Sequence, residues 1–514
     1  MPKLGRVLLV GAGPGDPDLM TIRGAKMLAR ADVVFYDELA AKELLDLVPD
    51  RAELINVGKR GHDEPTRTQD EINALLIEHA RAGRTVVRLK GGDPLVFGRG
   101  GEEMTLCSEA GIPFEVVPGV TSAVAALAYA GIPVTDRRHA ASFAVVTGHK
   151  DPSRAAEQTR WRELGRAVDT LVILMGMRNL PQLVAELIAG GKSPDTPAAA
   201  VMQGTLPQQR TCVSTLAELP EDAKRAGISA PAVVVIGDVV RLHEGLSWWE
   251  RKPLFGRQVL VTRASRQAME LASLLRSVGA EPVLTPMIEF APIEDVDGKA
   301  EIASAIRHLD QTRTIVFTSS NAVRFFASAL AAEGIDPTSR LAEIRTFCVG
   351  ERTAEAALAA GFPVQLVATG RGDAEALLAQ LLQALPTGGE RVLIPGSQIA
   401  RTLIADGLRA AGAEVDAIAF YQNRRREIDF GRLRGRLVRG ELFALTFTSP
   451  STVDHFLACL DEESREAAGR CMIAAIGQTT RASLVRAGLV PTVVPDRPDV
   501  SLMVEELVAA AAVD

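Results

Sequence analysis

The chain has 514 residues, of which 47% are hydrophobic and 24% are charged, and its net charge at pH 7 is −7. This length predicts roughly two to four domains with buried cores, and the acidic balance argues against a nucleic-acid-binding protein. No run of about 18 apolar residues predicts a membrane span, and the chain enters its first strand without a signal peptide, so we expect a cytoplasmic protein without membrane contact.

The first predicted strand, Arg6–Val10, runs into the glycine-rich loop Gly11–Asp16, and a helix follows. This order is similar to the G-x-G-x-x-G dinucleotide fingerprint, with Asp37 after the second strand as the ribose carboxylate. The fingerprint, however, needs a glycine at the position of Asp16, and Pro14 lacks a backbone N–H for a pyrophosphate. We therefore expect a cofactor without phosphates rather than a dinucleotide.

A second glycine-rich loop follows the buried strand predicted at Val86–Leu89. Glycine occupies five of the eleven positions from Gly91 to Gly101, and a helix begins at Glu102. Glycine lets the main chain approach a ligand closely, at a cost in folding entropy. Open α/β sheets bind small molecules where strands end in such loops, whereas a plain turn would need only one or two glycines. We predict a ligand-binding loop.

A domain boundary is predicted near residues 244–257, where Trp248 and Trp249 are expected to pack on a domain surface. The sequence after this boundary is duplicated, with paired segments beginning at Val259 and Val392, at Phe317 and Phe447, and at Val349 and Ile476. The offsets of 133, 130 and 127 residues differ little. Each unit reads as a strand, a small-residue loop and an amphipathic helix, which predicts two α/β lobes with parallel sheets.

Several motifs carry a resemblance to known enzymes. Residues 4–247 contain, in order, GAGPGDPDLMT, ADVVFYDEL, VGKRGH, RLKGGDPLVFGRGGEE, VPGVTSAVAALAYAGIPVT, VTGH, MGM and GTLPQQRT. This series resembles the uroporphyrinogen-III C-methyltransferases of the tetrapyrrole methylase family. Residues 257–510 resemble uroporphyrinogen-III synthase, through VLVTR, FTSSNAV, Tyr421, FTSPSTV and AIGQTT.

The resemblance implies an α/β chain with two enzyme domains. A two-lobed tetrapyrrole methylase fold would span 1–247 and a linker 248–256, and a bilobed α/β synthase fold with an internal duplication would span 257–514. One synthase lobe would comprise about 257–290 and 423–514, and the other about 292–418. The implied activity is bifunctional: closure of hydroxymethylbilane to uroporphyrinogen III with inversion of the last ring, then transfer of two methyl groups to give precorrin-2.

For the methyltransferase domain the resemblance implies S-adenosylmethionine (SAM) as methyl donor. The implied cofactor contacts are Pro14, Gly91, Gly92, Asp93, Val96, Thr121, Ser122, Met175 and Gly204. Asp37 and Lys59 are the implied acid/base pair, although Asp37 is also compatible with fixing a loop and Lys59 with binding a substrate carboxylate. Because the substrate carries several carboxylates, we expect a basic cleft that includes Arg88, Arg99, Arg137 and Arg138.

For the synthase domain the resemblance implies catalysis without a cofactor. Tyr421, after a predicted apolar strand, is the candidate to assist departure of the hydroxyl group. Substrate carboxylates would be bound by hydroxyl and amide side chains helped by helix N-termini, namely Thr318, Ser319, Ser320, Thr448, Ser449, Gln478, Thr479 and Thr480. Helix capping is an equally compatible role for the serines and threonines. The usual pattern has an arginine at the positions of Pro395 and Gln422. Arg401 and Arg424–Arg426 could replace these arginines as anion contacts.

Two alternatives stay open: a methylase of a later cobalamin precursor, and a non-catalytic tetrapyrrole-binding sensor. Five cysteines without C-x-x-C spacing predict reduced thiols and no metal site. We expect small-molecule tetrapyrrole substrates, no nucleic-acid partner, and a homodimer formed through the methyltransferase domain. The sequence does not decide between a sirohaem and a cobalamin destination for the product.

Overall fold

The computed structural model describes residues 4–37, 41–49, 51–58, 67–148, 159–263, 265–368, 374–385, 389–398, 402–425 and 430–512. These residues form four β-sheets, two in each half of the chain. We call the four units built on them the first to fourth lobes.

The first lobe is a parallel α/β layer. Its elements are β1 (Arg6–Gly11), α1 (Ile22–Leu28), β2 (Val33–Tyr36), β3 (Glu53–Asn56), α2 (Gln69–Arg81), β4 (Thr85–Lys90), α3 (Gly100–Glu109) and β5 (Phe114–Val117). The strand order is β3-β2-β4-β1-β5, and all neighbours are parallel. Val7 to Val10 are fully buried, as expected for a central strand covered on both faces.

The second lobe follows α4 (Ser122–Tyr129) and has a mixed sheet. Its elements are β6 (Phe143–Thr147), α5 (Trp161–Ala167), β7 (Thr170–Leu174), α6 (Leu180–Ala189), β8 (Pro197–Met202), β9 (Arg210–Thr215), α7 (Leu219–Arg225), β10 (Ala232–Ile236) and α8 (His243–Leu246). The order is β6-β7-β10-β8-β9, in which β6 and β7 are parallel and the other pairs antiparallel.

The residues between the two halves are packed against the second lobe. The Trp248 indole donates a hydrogen bond to the Ala128 carbonyl (3.0 Å), and the Trp249 indole donates one to Leu206 (3.1 Å). Both indoles also contact the Tyr129 ring, with centroid distances of 5.0 and 4.9 Å. The prediction that the tryptophan pair packs on a domain surface agrees with these contacts.

Strands and helices alternate along most of the second half of the chain. In order these are β11 (Gln258–Val261), α9 (Ser265–Ser277), β12 (Glu281–Leu284), β13 (Ile288–Pro292), α10 (Val296–Arg307), β14 (Thr314–Phe317), α11 (Ser320–Ala332), α12 (Pro337–Arg340), β15 (Arg345–Cys348), α13 (Glu351–Ala359), β16 (Val364–Val367), α14 (Ala374–Ala384), β17 (Arg391–Ser397), α15 (Leu403–Ala410), β18 (Glu414–Arg425), α16 (Phe430–Val438), β19 (Leu442–Phe447), α17 (Pro450–Leu457), α18 (Glu462–Gly469), β20 (Met472–Ala475), α19 (Gln478–Arg486) and α20 (Val500–Ala511).

The two sheets of this half share one plan. The third lobe has the parallel order β12-β11-β19-β20, and the fourth has the order β13-β18-β17-β14-β15-β16. The sequence repeat equates β11 with β17, β19 with β14 and β20 with β15, which gives the same strand order in both lobes. The duplication read from the sequence is therefore visible in the fold, and the third lobe is assembled from both ends of this half.

The boundary between these lobes differs by a few residues from the one expected. Strand β13 pairs antiparallel with the far end of β18, from Ile288 opposite Arg425 to Pro292 opposite Tyr421. Residues 288–290 and 423–425, which we expected in the lobe that contains β11, therefore extend the fourth-lobe sheet. The repeat does not include this antiparallel edge pair, so the sequence comparison could not reveal it.

Candidate active sites

The two glycine-rich loops of the first lobe meet at the point where its strand order reverses. One loop follows β1 and the other follows β4, the two adjacent strands from which the chain continues to opposite sides of the sheet. Gly13 and Gly92 exchange two backbone hydrogen bonds, of 3.2 and 2.7 Å. Open α/β sheets bind ligands at such a switch point, so the fold brings Pro14 and the Gly91–Asp93 loop to one place.

Close backbone contact explains the glycines at this crossing. A Cβ added to Gly11 would lie 2.5 Å from the Gly119 Cα, and one added to Gly119 would overlap the Gly92 carbonyl oxygen. Gly92 differs from these two, because its added Cβ would have no neighbour nearer than 3.9 Å, at Thr121 and Ser122. Its φ of +68° disfavours a side chain, so an open space is kept beside the start of α4.

The Asp93 carboxylate organises the loop after β4. Its Oδ1 accepts a hydrogen bond from the Leu95 N–H (2.8 Å), and its Oδ2 accepts one from the Gly119 N–H (3.0 Å). Asp93 thus ties its own loop to the segment that leads into α4. A carboxylate accepts more than two hydrogen bonds, so a ligand contact is compatible with this role.

Helix α4 brings the other expected cofactor residues near this loop. The Thr121 hydroxyl caps α4 by accepting from the Ala123 N–H (3.3 Å), and Ser122 is its first residue. Further along, a Cβ at Gly204 would overlap Ala126, so the loop after β8 lies directly on α4. The expected contacts therefore meet around one helix that joins the two lobes.

The two apolar residues among the expected cofactor contacts are exposed, each after a strand of a different lobe. Val96 is 36% exposed in the loop after β4, and Met175, directly after β7, is 53% exposed. Met175 has φ of 55°, and Gln203 and Thr205, on either side of Gly204, also have positive φ. Non-glycine residues in this region are strained, and such strain concentrates at ligand sites. Sequence patterns do not predict this backbone strain.

A buried charge cluster adjoins Asp37, which directly follows β2. The Arg88 guanidinium lies 3.6 Å from Asp37 Oδ2 and 3.3 Å from Glu103 Oε1, and the Lys90 amine lies 2.9 Å from the same Glu103 oxygen. The Arg88 side chain is only 6% exposed. The expectation that Arg88 binds a substrate carboxylate is therefore corrected: its charge is occupied inside the protein, where it holds Asp37 beside the sheet.

The other basic residues expected in the cleft differ in their surroundings. Arg99 pairs with Glu102 through two hydrogen bonds of 2.9 and 2.7 Å, and Arg138 pairs with Asp136. Arg137 is exposed. Lys59 lies outside the described residues, as do Arg60, Arg401 and Arg426. Among the described members of this group, Arg137 is therefore exposed, while Arg99 and Arg138 each pair with a neighbouring carboxylate.

In the second half, the predicted serine loops lie at the switch points of the two sheets. Ser319 follows β14 and caps α11 by accepting from Ala322 N–H (3.1 Å), and Ser449 follows β19 and caps α17 by accepting from Thr452 N–H (3.3 Å). Their φ values are −163° and −161°. The two lobes repeat the same capped turn, with Thr318 and Ser320 beside the first and Thr448 beside the second.

Tyr421 lies within β18, where the pairing with β17 ends and the pairing with β13 begins. Its ring is 7% exposed and stacks on Phe325 at a centroid distance of 5.1 Å, while its hydroxyl lies 3.2 Å from the Ser319 hydroxyl. The structure thus brings two expected synthase residues together. Two side chains near Tyr421 have partners within the protein. Gln422, which departs from the usual pattern, donates to the Pro292 carbonyl, and Arg424 pairs with Glu294.

One expected contact in this half is wrong. Thr480 is only 2% exposed, whereas Gln478 and Thr479 at the start of the same helix are exposed. A helix turns by about 100° per residue, so the third residue of α19 faces the core. Thr353, at the equivalent place in the repeat, is also buried at 6%. Thr480 therefore supports packing and is not open to a substrate carboxylate.

Sequence reasoning missed a group of charges between the third and fourth lobes. Arg352 on α13 forms a 2.5 Å ion pair with Glu270 on α9, so the pair links the two lobes. Arg263 directly follows β11. Burial lowers the pKa of its guanidinium group, Glu270 opposes this shift, and Arg352 adds to it. Two guanidinium groups from different lobes therefore influence each other. A charged residue just after a buried strand was the available signal.

Metal and thiol chemistry find no support in the described part of the chain. No group of three or more His, Cys, Asp or Glu side chains there is arranged to hold a metal ion, and no helix there is long and apolar enough to cross a membrane. None of the five cysteines forms a disulfide bond. Burial raises the pKa of Cys107 to about 11 and that of Cys348 to about 12, which disfavours the reactive thiolate.

Comparison with known proteins accounts for both halves. The profile of the tetrapyrrole (corrin/porphyrin) methylases matches residues 6–220, and that of uroporphyrinogen-III synthase HemD matches residues 269–505. The porphyrin biosynthesis protein HemD of Ruminiclostridium josui is 40% identical over 463 residues, which is 89% of each chain. The chain is a fusion that belongs to these two families. We refer below to a methyltransferase half and a synthase half.

Shorter relatives match the methyltransferase half. The S-adenosyl-L-methionine-dependent uroporphyrinogen III methyltransferase of Methanosarcina barkeri is 48% identical over 240 residues, which are 47% of this chain and 94% of that protein. The crystal structure of uroporphyrin-III C-methyl transferase from Thermus thermophilus with S-adenyl homocysteine is 42% identical, with a TM-score of 0.40. It covers 46% of this chain and all of that chain.

Proposed function

We propose that the chain catalyses two consecutive steps of tetrapyrrole biosynthesis. The synthase half closes hydroxymethylbilane to uroporphyrinogen III with inversion of the last ring, and the methyltransferase half transfers two methyl groups from SAM to that product to give precorrin-2. The observation that carries this proposal is the R. josui relative, whose match extends across both halves. The product of one half is then the substrate of the other.

The first-lobe crossing fits SAM. Gly92 leaves an open space beside Thr121 and Ser122, and exposed Val96 and Met175 offer apolar surface to a thioether and a base. Pro14, Gly91, Asp93 and Gly204 complete the residues that would hold the cofactor. SAM supplies an already activated methyl group, so the protein contributes mainly alignment of the reactants and proton removal.

Asp37 is the proposed base. After a pyrrole carbon gains a methyl group, the ring must lose a proton, and a carboxylate at a strand end is suited to accept it. Arg88 holds this carboxylate from inside, while the Asp37 side chain itself stays 24% exposed. Lys59, Arg99, Arg137 and Arg138 are proposed to contact substrate carboxylates, and Lys59 is also a candidate for proton transfer.

In the synthase half, Tyr421 is proposed to donate a hydrogen bond to the departing hydroxyl group. The capped turns at Ser319 and Ser449 and the exposed start of α19 are proposed to bind acetate and propionate groups at helix N-termini. Arg263 and Arg352 add positive charge from both lobes, and guanidinium groups suit carboxylates. We propose that this half needs no cofactor.

Incubation of the full chain with hydroxymethylbilane, with and without SAM, tests both steps. We expect uroporphyrinogen III without SAM and a doubly methylated product with it, identified by absorbance and mass. Methylation of a later precursor but not of uroporphyrinogen III would favour the cobalamin-type alternative. Tight tetrapyrrole binding without turnover would favour the sensor.

A further inference from the structure

Helix α9 of the synthase half contacts the first lobe of the methyltransferase half. Arg276 on α9 forms a 2.5 Å ion pair with Glu43, and the two side chains are 9% and 26% exposed. One turn earlier on the same face of α9, the Ser273 hydroxyl donates to Asp18 Oδ2 (3.2 Å). Two polar contacts, one of them largely shielded from water, therefore connect the halves.

Both partner residues lie in short turns next to the proposed methyltransferase site. Asp18 belongs to the turn Pro17–Leu19, which follows the loop containing Pro14. Glu43 belongs to the turn Lys42–Leu47, a few residues after Asp37. Hydrogen bonds such as Leu44 N–H to Ala41 and Met20 N–H to Pro17 close these turns, and Leu44 packs in the first-lobe core. The contacts with α9 add a second attachment on the outer side chains of Asp18 and Glu43.

The C-terminal end of α9, which carries Arg276, is also bound to the segment between the two halves. The Lys252 amine donates to the Ser277 carbonyl (2.5 Å) and lies 4.4 Å from the centre of the Trp249 ring. The Leu254 N–H donates to the Val278 carbonyl (3.0 Å). Trp249 is itself bound to Leu206, so this segment connects the C-terminal end of α9 to the second lobe.

The charges of the contact are complementary. Glu43 and Asp46 line a groove together with Met269 of α9, and α9 presents Arg276 to Glu43; Asp18 lies beside Lys26. Removing one partner of a shielded ion pair leaves an uncompensated charge, which is strongly unfavourable. The Arg276–Glu43 pair therefore favours the docked position of α9.

We propose that α9 is the docking element through which the synthase half holds the turns after Pro14 and Asp37 in place, so that cofactor binding and methyl transfer depend on the synthase half. Removing the α9 contact would loosen these two turns while leaving the cleft between the third and fourth lobes intact. The proposal concerns the contact itself and does not depend on the identity of the acceptor that is methylated.

Charge substitution in the full chain tests the proposal. The variants are Arg276→Glu, Glu43→Arg, the double exchange of both, and Ser273→Asp, which places a carboxylate opposite Asp18 without altering a buried residue. The matched control is Arg162→Glu, which breaks an exposed ion pair with Glu186 on the second lobe. The measurements are amide hydrogen exchange, calorimetric binding of S-adenosylhomocysteine, and both reaction rates.

In each single variant at the α9 contact we expect about tenfold faster exchange of the Met20 and Leu44 amides and about fivefold weaker cofactor-product binding, within the range of couplings between contacting residues. The double exchange should restore both to within about twofold, and the synthase rate should stay unchanged. Unchanged exchange in the single variants, or a double exchange as damaged as the singles, would overturn the proposal. If the Arg276→Glu variant does not fold, the results for Glu43→Arg and Ser273→Asp decide whether the proposal holds.

Discussion

At the scale of single residues, Asp37 gives the sharpest test of the methyltransferase half. Asp37→Asn keeps the size of the side chain and removes its basicity, so we expect methyl transfer to fall by about 10²- to 10⁴-fold. Calorimetric binding of S-adenosylhomocysteine should be retained. Asp195→Asn, an exposed change in the second lobe, is the control. Loss of binding together with activity would instead support the loop-fixing role.

Asp93 tests the loop after β4. Asp93→Ala leaves the Leu95 and Gly119 N–H groups without their acceptor, and an unsatisfied donor costs about 1–3 kcal/mol. We expect S-adenosylhomocysteine to bind about tenfold or more weakly by calorimetry. Asp93→Asn keeps one carbonyl acceptor and should lose less affinity. Equal affinity of the alanine variant and the unmodified chain would remove Asp93 from the site.

Tyr421 tests the synthase half. Tyr421→Phe keeps the ring stacked on Phe325 but removes the hydroxyl that meets Ser319. We expect a nearly unchanged melting temperature and ring closure about 10- to 150-fold slower, with more of the uninverted type I isomer in the product. If the phenylalanine variant gave a normal rate and pure type III product, the catalytic role would be excluded.

A pair of serine variants separates capping from chemistry at this site. Ser319→Ala and Ser449→Ala each remove one N-cap, which costs about 1 kcal/mol of stability, and Ser319 alone touches Tyr421.

The residues show which parts of the site a sequence can predict. Glycines and serines directly after strands were placed correctly because chain order fixes which end of a strand they occupy. Arg88 and Thr480 were misread because their burial depends on Glu103 and on the face of α19, which only the tertiary structure decides. The ion pair between Arg352 and Glu270 joins residues from different lobes, and no local sequence pattern predicts it.

At the scale of elements, the contact between β4 and α3 depends on buried charges. Glu103 is 1% exposed and accepts from both Arg88 and Lys90. Burial and the neighbouring Arg88 lower the pKa of Lys90, and Glu103 opposes this shift. Replacing Glu103 by Gln therefore leaves Lys90 without its paired carboxylate and Arg88 with Asp37 alone, and we expect a loss of about 3 kcal/mol in unfolding free energy at neutral pH.

This loss should depend on pH. Since the folded protein disfavours charged Lys90, the unfolded state binds more protons as pH approaches the ordinary lysine value of 10.5. Stability then rises with pH in that window, and more so without Glu103. Urea unfolding at neutral pH and at about pH 9.5 should show the gap between Glu103→Gln and the unmodified chain narrowing. A gap that widens would contradict this explanation.

At the scale of the whole molecule, the packed segment 248–256 decides where the halves can be separated. The indoles of Trp248 and Trp249 cover Tyr129 on α4, the helix that carries the proposed cofactor residues. We expect segment 1–256, which lacks α9, to transfer two methyl groups to uroporphyrinogen III more slowly than the full chain does. Segment 1–247, which lacks the tryptophan pair, should do so with a melting temperature several degrees lower. Equal melting temperatures would show that the indoles do not support α4.

The homodimer predicted through the methyltransferase half stays a prediction. Sedimentation of the full chain and of segment 1–256 at micromolar concentration is the measurement. Dimers of both would place the interface in the methyltransferase half, and a monomer of segment 1–256 would exclude it there.

The split construction of the third lobe has a consequence for synthesis on the ribosome. Strand β11 ends at Val261, but its sheet neighbour β19 begins only at Leu442. At ordinary elongation rates the apolar β11–β12 pair waits about 10–40 s for that partner, while the fourth lobe can already close. The nascent chain therefore passes through a stage with an unpaired strand edge. A chaperone that shields such edges would act on this protein after β12 has left the ribosome and before β19 does.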